Sequence, residues 1–252
     1  MNNPEKSVAL VTGAATGIGR ATALAFADAG CDLVIADLDE TRLEILAQEL
    51  EQRGCDVVSQ TLDVTDQQAV NALHAEAKFT FGRLDYACNN AGIEGLQAPT
   101  AETTLENFDR VMNINVRGLL ICMQAQLAMM LEQDAGSIVN VASVAGLIGF
   151  PGLPSYCASK GAVIQLTKAS AVEYADQNIR VNAVCPGPIK TEMIDRITGE
   201  DPETVDAFEH LQPMNRMGTA QEVADTIVWL AMGQASYITG QALAVDGGMV
   251  AR

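Results

Sequence analysis

The stretch "SVALVTGAATGIGRATALAFADAG", residues 7–30, decides how the rest of the chain is read. Residues 7–12 form a short β-branched run that stops at a glycine, the pattern of a buried strand. From 17 to 29 the positions Ile18, Ala21, Leu24, Ala25 and Ala29 share one helical face, so a helix follows directly. Between the two lie Gly13, Gly17 and Gly19, spaced G-x-x-x-G-x-G. Glycines there permit a tight turn, let the backbone approach a pyrophosphate, and let the helix begin close to the sheet. The helix start presents free N–H groups and a positive dipole end to an anion. The unit predicts a phosphate cradle over Gly13, Thr16, Gly17, Ile18 and Gly19.

Outward from this unit, strands are predicted at 31–37, 55–64, 84–92, 136–143, 179–187 and 242–248. Helices are predicted at 39–53, 66–81, 104–133, 155–176 and 220–231. Strands alternating with helices in this way predict a parallel sheet covered on both faces, within one domain over 1–252. Residues 188–219 interrupt the alternation with Pro188, Gly199, Pro202, Pro213 and Gly218, and are expected as an irregular excursion where a substrate lid belongs. Ligands of such sheets bind beyond the carboxyl ends of the strands. Gly13, Asp37, Asp63, Asn90, Ser143 and Pro186 each lie at or just after the end of a different strand.

Composition narrows the function classes. The 252 residues carry a formal charge of −17, which disfavours nucleic acid and anionic lipid as partners. No apolar stretch approaches the roughly 18 residues that span a bilayer, and "MNNPEKSVALVTG" lacks the features of a signal peptide. A cytoplasmic protein with no membrane partner is expected. Cys31, Cys55, Cys88, Cys122, Cys157 and Cys185 are scattered singly, so disulfides are not expected. With only His74 and His210, no metal site is expected either.

Asp37 ends the second strand, 18 residues after Gly19. A carboxylate there accepts both hydroxyls of an adenosine ribose and repels a 2′-phosphate. The neighbouring Leu38 and Thr16 supply no positive charge, so the sequence favours NAD over NADP. Two qualifications attach. Asp37 competes with Asp39 as cap of the following helix, and the long side chain of Arg42 is able to swing back.

"SYCASKGAV", residues 155–163, places Tyr156 and Lys160 one helical turn apart, on one face. A free tyrosine titrates near pH 10, and a lysine ammonium within about 4–6 Å favours the phenolate. Together with a second positive charge, the oxidised nicotinamide, this is expected to bring the phenol toward neutral pH. The small residues Cys157, Ala158, Ser159, Gly161 and Ala162 are expected to let a cofactor lie against this helix. Ser143, 13 residues before Tyr156, is placed to hold a substrate oxygen. Asn115 lies inside a long helix, where it satisfies a local backbone group or holds a water that relays protons to Lys160.

The segments "TGAATGIG" (12–19), "NNAG" (89–92), "NVRG" (115–118), "IVNVAS" (138–143), "YCASK" (156–160), "PGPIKT" (186–191) and "YITGQALAVDGG" (237–248) occur in the order found in the short-chain dehydrogenase/reductase family. The resemblance covers nearly the whole chain. It implies a three-layer α-β-α Rossmann-type fold, a doubly wound parallel sheet of about seven strands. It implies a catalytic set of Asn115, Ser143, Tyr156 and Lys160, with Tyr156 as acid/base, Ser143 orienting the reacting oxygen, and Lys160 also bonding the nicotinamide ribose. Ser143 and Tyr156 would contact substrate. The family's cofactor contacts fall on Asp63 and Val64 at the adenine, on Asn90, Ala91 and Gly92 near the adenosine ribose, and on Pro186, Gly187, Ile189 and Thr191 at the nicotinamide. A homotetramer is implied by resemblance alone.

The expected reaction is reversible oxidation of a secondary alcohol to a ketone, on a small-molecule substrate and without metal. Specificity is assigned to residues 93–97, 144–153 and 188–216. Met193, Ile194, Ile197, Phe208, Leu211 and Met214 make this region apolar, which favours a hydrophobic or alicyclic substrate. Lys190, Arg196 and Arg216 are its few basic residues, so a phosphorylated substrate is disfavoured. Two alternatives stand: a 3-oxoacyl-carrier-protein reductase, against which Asp37 argues, and a dinucleotide-binding regulator without catalysis.

Overall fold

The computed structural model describes residues 6–199 and 201–251. Seven strands form one sheet: β1 (Val8–Thr12), β2 (Asp32–Asp37), β3 (Val57–Thr61), β4 (Tyr86–Asn89), β5 (Gly136–Val141), β6 (Ile179–Pro186) and β7 (Ala242–Val245). Their order is β3-β2-β1-β4-β5-β6-β7, and every pairing is parallel. Alternation along β1 shows why the sheet is covered twice. Val8 and Leu10 join a core with Leu73, Met123 and Val163, whereas Ala9 and Val11 join one with Phe26, Leu43 and Ile227. The first core lies under α3 (Gln67–Phe81), α5 (Leu119–Glu132) and α6 (Pro154–Tyr174). The second lies under α1 (Gly17–Asp28), α2 (Glu40–Gln52) and α9 (Ala220–Ala231). The three-layer doubly wound fold is the one expected. The chain reverses its direction across the sheet between β1 and β4, and the cleft at their carboxyl ends is where such folds bind ligands.

Three details differ from expectation. β3, β4 and β7 are shorter than their apolar runs, because turns take over at Asp63, at Asn90 and at Gly247 and Gly248, both glycines with positive φ. The helix expected over 104–133 is α4 (Leu105–Met112), a π-helical turn over Asn113–Gly118, and then α5. Taken together, Leu105–Glu132 is long and apolar enough to cross a membrane, which the sequence reading denied of any stretch. Its apolarity is that of a core helix: Val111, Met123 and Met130 are buried against the sheet and its neighbours.

The excursion 188–219 is not irregular. It holds two short helices, α7 (Glu192–Thr198) and α8 (Pro202–Glu209), each bounded by the residues that hid it from a periodicity reading. Gly199 closes α7 in the left-handed region, and Pro202 opens α8 behind the capping Asp201. A parallel bridge between Ile189 and Gly218 joins the two ends, so the excursion leaves and re-enters the fold at one point.

Candidate active site

The cleft divides into two connected cavities that share Ile18, Asn90, Gly92, Thr191 and Met193. One runs from the glycine turn to Asp37, Leu38, Asp63 and Val64. The other lies over Ser143, Tyr156 and Lys160.

The glycine turn is built by the chain's own contacts. A Cβ on Gly19 would stand 1.9 Å from the Gly13 carbonyl, and one on Gly13 would stand 2.9 Å from Ala91 Cα. Asn90 pins the turn from β4, with Nδ2 donating to Gly13 O at 2.8 Å, and Thr12 Oγ1 accepts from the Asn90 and Ala91 amides. Thr16 makes no side-chain bond to α1, so the first-turn amides are left uncapped beside Gly13, Thr16, Gly17 and Ile18 in the cavity wall. A dinucleotide pyrophosphate fits this arrangement without any lysine or arginine.

Asp37 does not cap α2; Asp39 does, accepting from Arg42 N. Asp37 instead reaches back, accepting from Ala15 N at 2.9 Å and Asp39 N at 3.0 Å. Each carboxylate oxygen keeps a further lone pair for a ribose hydroxyl. Asp63 is held in a local turn by Thr65 N and Oγ1, both at 2.8 Å, and also lines the cavity. Val64 is buried against Gly118.

At the other end, α6 projects Tyr156 and Lys160 into the same cavity. Lys160 is 4% exposed, and its Nζ donates to Val141 O at 2.8 Å and lies 5.6 Å from the Tyr156 ring centre. Burial lowers its pKa to about 8. Burial pushes the Tyr156 phenol up to about 12, opposed by the nearby Ser143 hydroxyl and reinforced by the Glu94 carboxylate. Lys160 does not offset that burial in the chain alone, and the acidification expected from the sequence also calls on the charge of an oxidised nicotinamide. The ammonium bonds a carbonyl, and the chain by itself keeps Tyr156 protonated.

The small residues of α6 also serve a different purpose from the one expected. Cys157 Sγ accepts from Phe150 N at 3.4 Å, and Gly161 faces the Gly146 carbonyl. A Cβ on Gly146 would stand 2.7 Å from Lys160 C and O. The smallness lets the loop after β5 dock on the helix at the level of Lys160. Neither Cys157, Ala158, Ser159, Gly161 nor Ala162 lines the cavity.

Asn115 is 1% exposed, at the middle of the π-helical turn. It satisfies a distant backbone group rather than a local one. Oδ1 accepts from Ile93 N, and Nδ2 donates to Ile93 O, all at 2.8 Å. Nδ2 also donates to Ser159 Oγ at 3.0 Å, which in turn donates to Tyr156 O. Asn115 thus ties the loop after β4 to the helical turn carrying Tyr156. A Cβ on Gly92 would stand 3.1 Å from Asn115 Oδ1 and 3.5 Å from Lys160 Nζ, so the two groups converge above Gly92. Gly92→Ala is expected to displace the Asn115 amide by a few tenths of an ångström, bring the new methyl into contact with Lys160 Nζ, and lower kcat roughly tenfold. Steady-state kinetics beside a thermal melt would check this; an unchanged kcat would mean that the convergence is unimportant.

Around Tyr156 the walls are apolar: Val144, Phe150, Leu153, Met193, Ile194, Ile197 and Phe208. Leu211 and Met214 are not among them, and Met214 lies in a separate concavity beside Gly247. Residues 93–97 do not line this cavity either; Glu94 pairs with Arg196 at 2.8 Å. The other two basic residues of the excursion are also paired, Lys190 with Glu209 and Arg216 with Glu222. Pro186, Gly187 and Ile189 line the Tyr156 cavity, and Thr191 lies at the junction, close to the space a Cβ on Gly17 would fill.

One buried polar chain escaped the sequence reading. Asn89 bonds Gln126 and Asn140, and Asn140 bonds Thr167, in the layer beneath the cleft. The available signal was an asparagine interrupting each of two apolar strands.

A family model described as enoyl-(acyl carrier protein) reductase matches residues 13–250. A 3-oxoacyl-[acyl-carrier-protein] reductase of Thermotoga maritima is 41% identical over 246 residues, 98% of this chain and 98% of the relative. A 2-(R)-hydroxypropyl-CoM dehydrogenase of Xanthobacter autotrophicus is 45% identical over 248 residues, 97% of this chain and 98% of the relative. Among solved structures, that of levodione reductase matches with a TM-score of 0.94 at 36% identity, covering 97% of this chain and 98% of that one.

Proposed function

This chain belongs to the short-chain dehydrogenase/reductase family and is an oxidoreductase of alcohols and ketones, and from that premise we propose NAD as its cofactor and a hydrophobic, alicyclic secondary alcohol or its ketone as its substrate. The observation that carries the reading is that Ser143, Tyr156 and Lys160 line one apolar cavity where it opens into the glycine-turn cleft.

The nicotinamide, when bound, supplies or accepts the hydride. Gly13, Thr16, Gly17 and Ile18 would hold the pyrophosphate, Asp37 the adenosine ribose, and Lys160 the nicotinamide ribose. Tyr156 gives its hydroxyl proton to the carbonyl oxygen in reduction and takes the alcohol proton in oxidation. Ser143 Oγ, fixed by Ala145 N at 3.1 Å, holds the same oxygen in place in both directions. The apolar walls exclude water from the reacting atoms.

Asp37 beside the exposed Leu38 supports NAD, since neither offers a 2′-phosphate a cation. The relatives are named for different substrates, so the substrate class rests on this chain's own walls. Their apolarity, and the pairing of Lys190, Arg196 and Arg216 with carboxylates, support a neutral hydrophobic molecule. Six unpaired cysteines, five of them buried, support a reducing compartment such as the cytoplasm. The edge strand β7, with Leu243 and the neighbouring Tyr237 exposed, supports assembly into a homotetramer.

A panel of cyclic and aryl secondary alcohols, steroids and 3-hydroxyacyl thioesters, followed by NADH absorbance with NADP in parallel, tests the reading. Turnover of cyclic alcohols with NAD is expected. Turnover of the thioesters alone, with NADP, would instead support the acyl-carrier reading that the Thermotoga maritima relative favours.

A further inference from the structure

Arg42 and Glu192 are 150 positions apart and meet at the adenosine end of the cleft. Arg42 stands in the first turn of α2, just after Asp37, Leu38 and Asp39. Glu192 opens α7 on the opposite wall. Arg42 Nη1 lies 2.9 Å from both Glu192 carboxylate oxygens, and Nε lies 3.5 Å from Asp39. Asp37, Leu38 and Glu192 line the same end of the cavity, so the ion pair sits on its rim. Asp37 contributes to raising the Arg42 pKa, behind Glu192 and Asp39, which places the guanidinium within the field of the carboxylate assigned to the ribose. Arg196, which also lines this cavity, is taken by Glu94. Both arginines on the rim are therefore matched by carboxylates, one from each wall.

We propose that Glu192 is a specificity-determining residue, which holds Arg42 in a rim ion pair and so withholds it from a 2′-phosphate on the adenosine ribose. The inference rests on the NAD reading and adds a second determinant to Asp37. Arg42 is the natural phosphate partner here: it is close to Asp37, and arginine suits phosphate geometry. The contest is close. Both side chains are about half exposed, at 48% and 54%, and such pairs are individually weak. Arg–carboxylate and Arg–phosphate bonds are of the same charge-assisted kind, so a 2′-phosphate that takes Arg42 must first give up the Glu192 pair, which cancels much of its gain.

The test is calorimetric titration of the cofactor-free protein with 5′-AMP and 2′,5′-ADP, for wild type, Glu192→Gln, Arg42→Met and the double variant. In Glu192→Gln the affinity for 2′,5′-ADP is expected to rise roughly five- to tenfold, with 5′-AMP within about twofold of wild type. The double variant is expected to lose that gain. If Glu192→Gln leaves 2′,5′-ADP binding unchanged, or if the gain survives in the double variant, the proposal is overturned; in the latter case relief of repulsion by Glu192 itself would be the cause. If wild type binds 2′,5′-ADP as tightly as 5′-AMP, the NAD reading fails instead, and the variants still report on Glu192 separately.

Discussion

Tyr156→Phe is expected to lower kcat by about a thousandfold or more, in both directions, and to leave NAD affinity within about twofold. The variant keeps the ring, its place in the cavity wall and the Lys160 contact, and removes only the oxygen that carries the proton. The pH profiles should make the role explicit. Reduction needs the protonated phenol, which the chain by itself stabilises up to about pH 12, so its rate is expected to stay level through neutral pH and fall only in alkali. Oxidation needs the phenolate, so its rate is expected to climb as pH rises. A cation brought beside the phenol lowers its pKa and moves both limbs toward neutrality. The Phe variant should show neither limb. Undiminished turnover in that variant would remove the mechanism, whereas loss of NAD binding together with turnover would show that the hydroxyl holds the cofactor rather than only moving a proton.

Much of this site is legible in the chain because its signals are local. Tyr156 and Lys160 are one helical turn apart, and the glycines of 13–19 sit between a strand and a helix in plain view. Asp37 announces itself as the last residue of a strand. What the sequence hides is set by contacts between distant segments. Asn115 is conspicuous as an asparagine in an apolar helix, but its partner is Ile93, and nothing local predicts the π-helical turn that aims it there. The Arg42–Glu192 pair links positions 150 apart, across a cleft that exists only once the sheet has formed. The excursion misled the reading for another reason. Its helices are of seven and eight residues, too short to show periodicity, and the Pro and Gly that bound them look the same as residues that break structure. For the phenol, proximity in sequence gives the distance to Lys160 but not the burial that opposes ionisation in the chain alone.

Lys160→Met is expected to lower kcat by about a hundredfold or more while making the protein more stable at pH 7. Below its native pKa of about 8 the lysine is charged in both states, and confining that charge in the core costs about 3 kcal/mol relative to the unfolded chain, whose lysine titrates at 10.5. Methionine keeps the stem and its packing and removes the charge. The orphaned Val141 carbonyl then costs about 1–2 kcal/mol, leaving a net gain of about 1–2 kcal/mol and a rise in Tm of a few degrees. The sign with pH follows from proton counting. Between pH 8 and 10.5 the unfolded chain binds the lysine proton that the native state has released, so wild-type stability rises relative to the variant across that window. The Cys88 and Cys122 thiols and Tyr156 act in the opposite sense. Their raised native pKa values contribute stability that is whole below about pH 9 and 10 respectively and fades above, but they do so in both proteins and cancel in the comparison. Thermal melts of the two proteins at pH 7 and 9.5 should therefore show the variant ahead at the first and its lead shrinking at the second. A variant less stable at pH 7, or a difference independent of pH, would mean that Lys160 is not held at a cost. The expected result would mark Lys160 as a charge retained in the core for chemistry at the expense of stability, the usual exchange at an enzyme site.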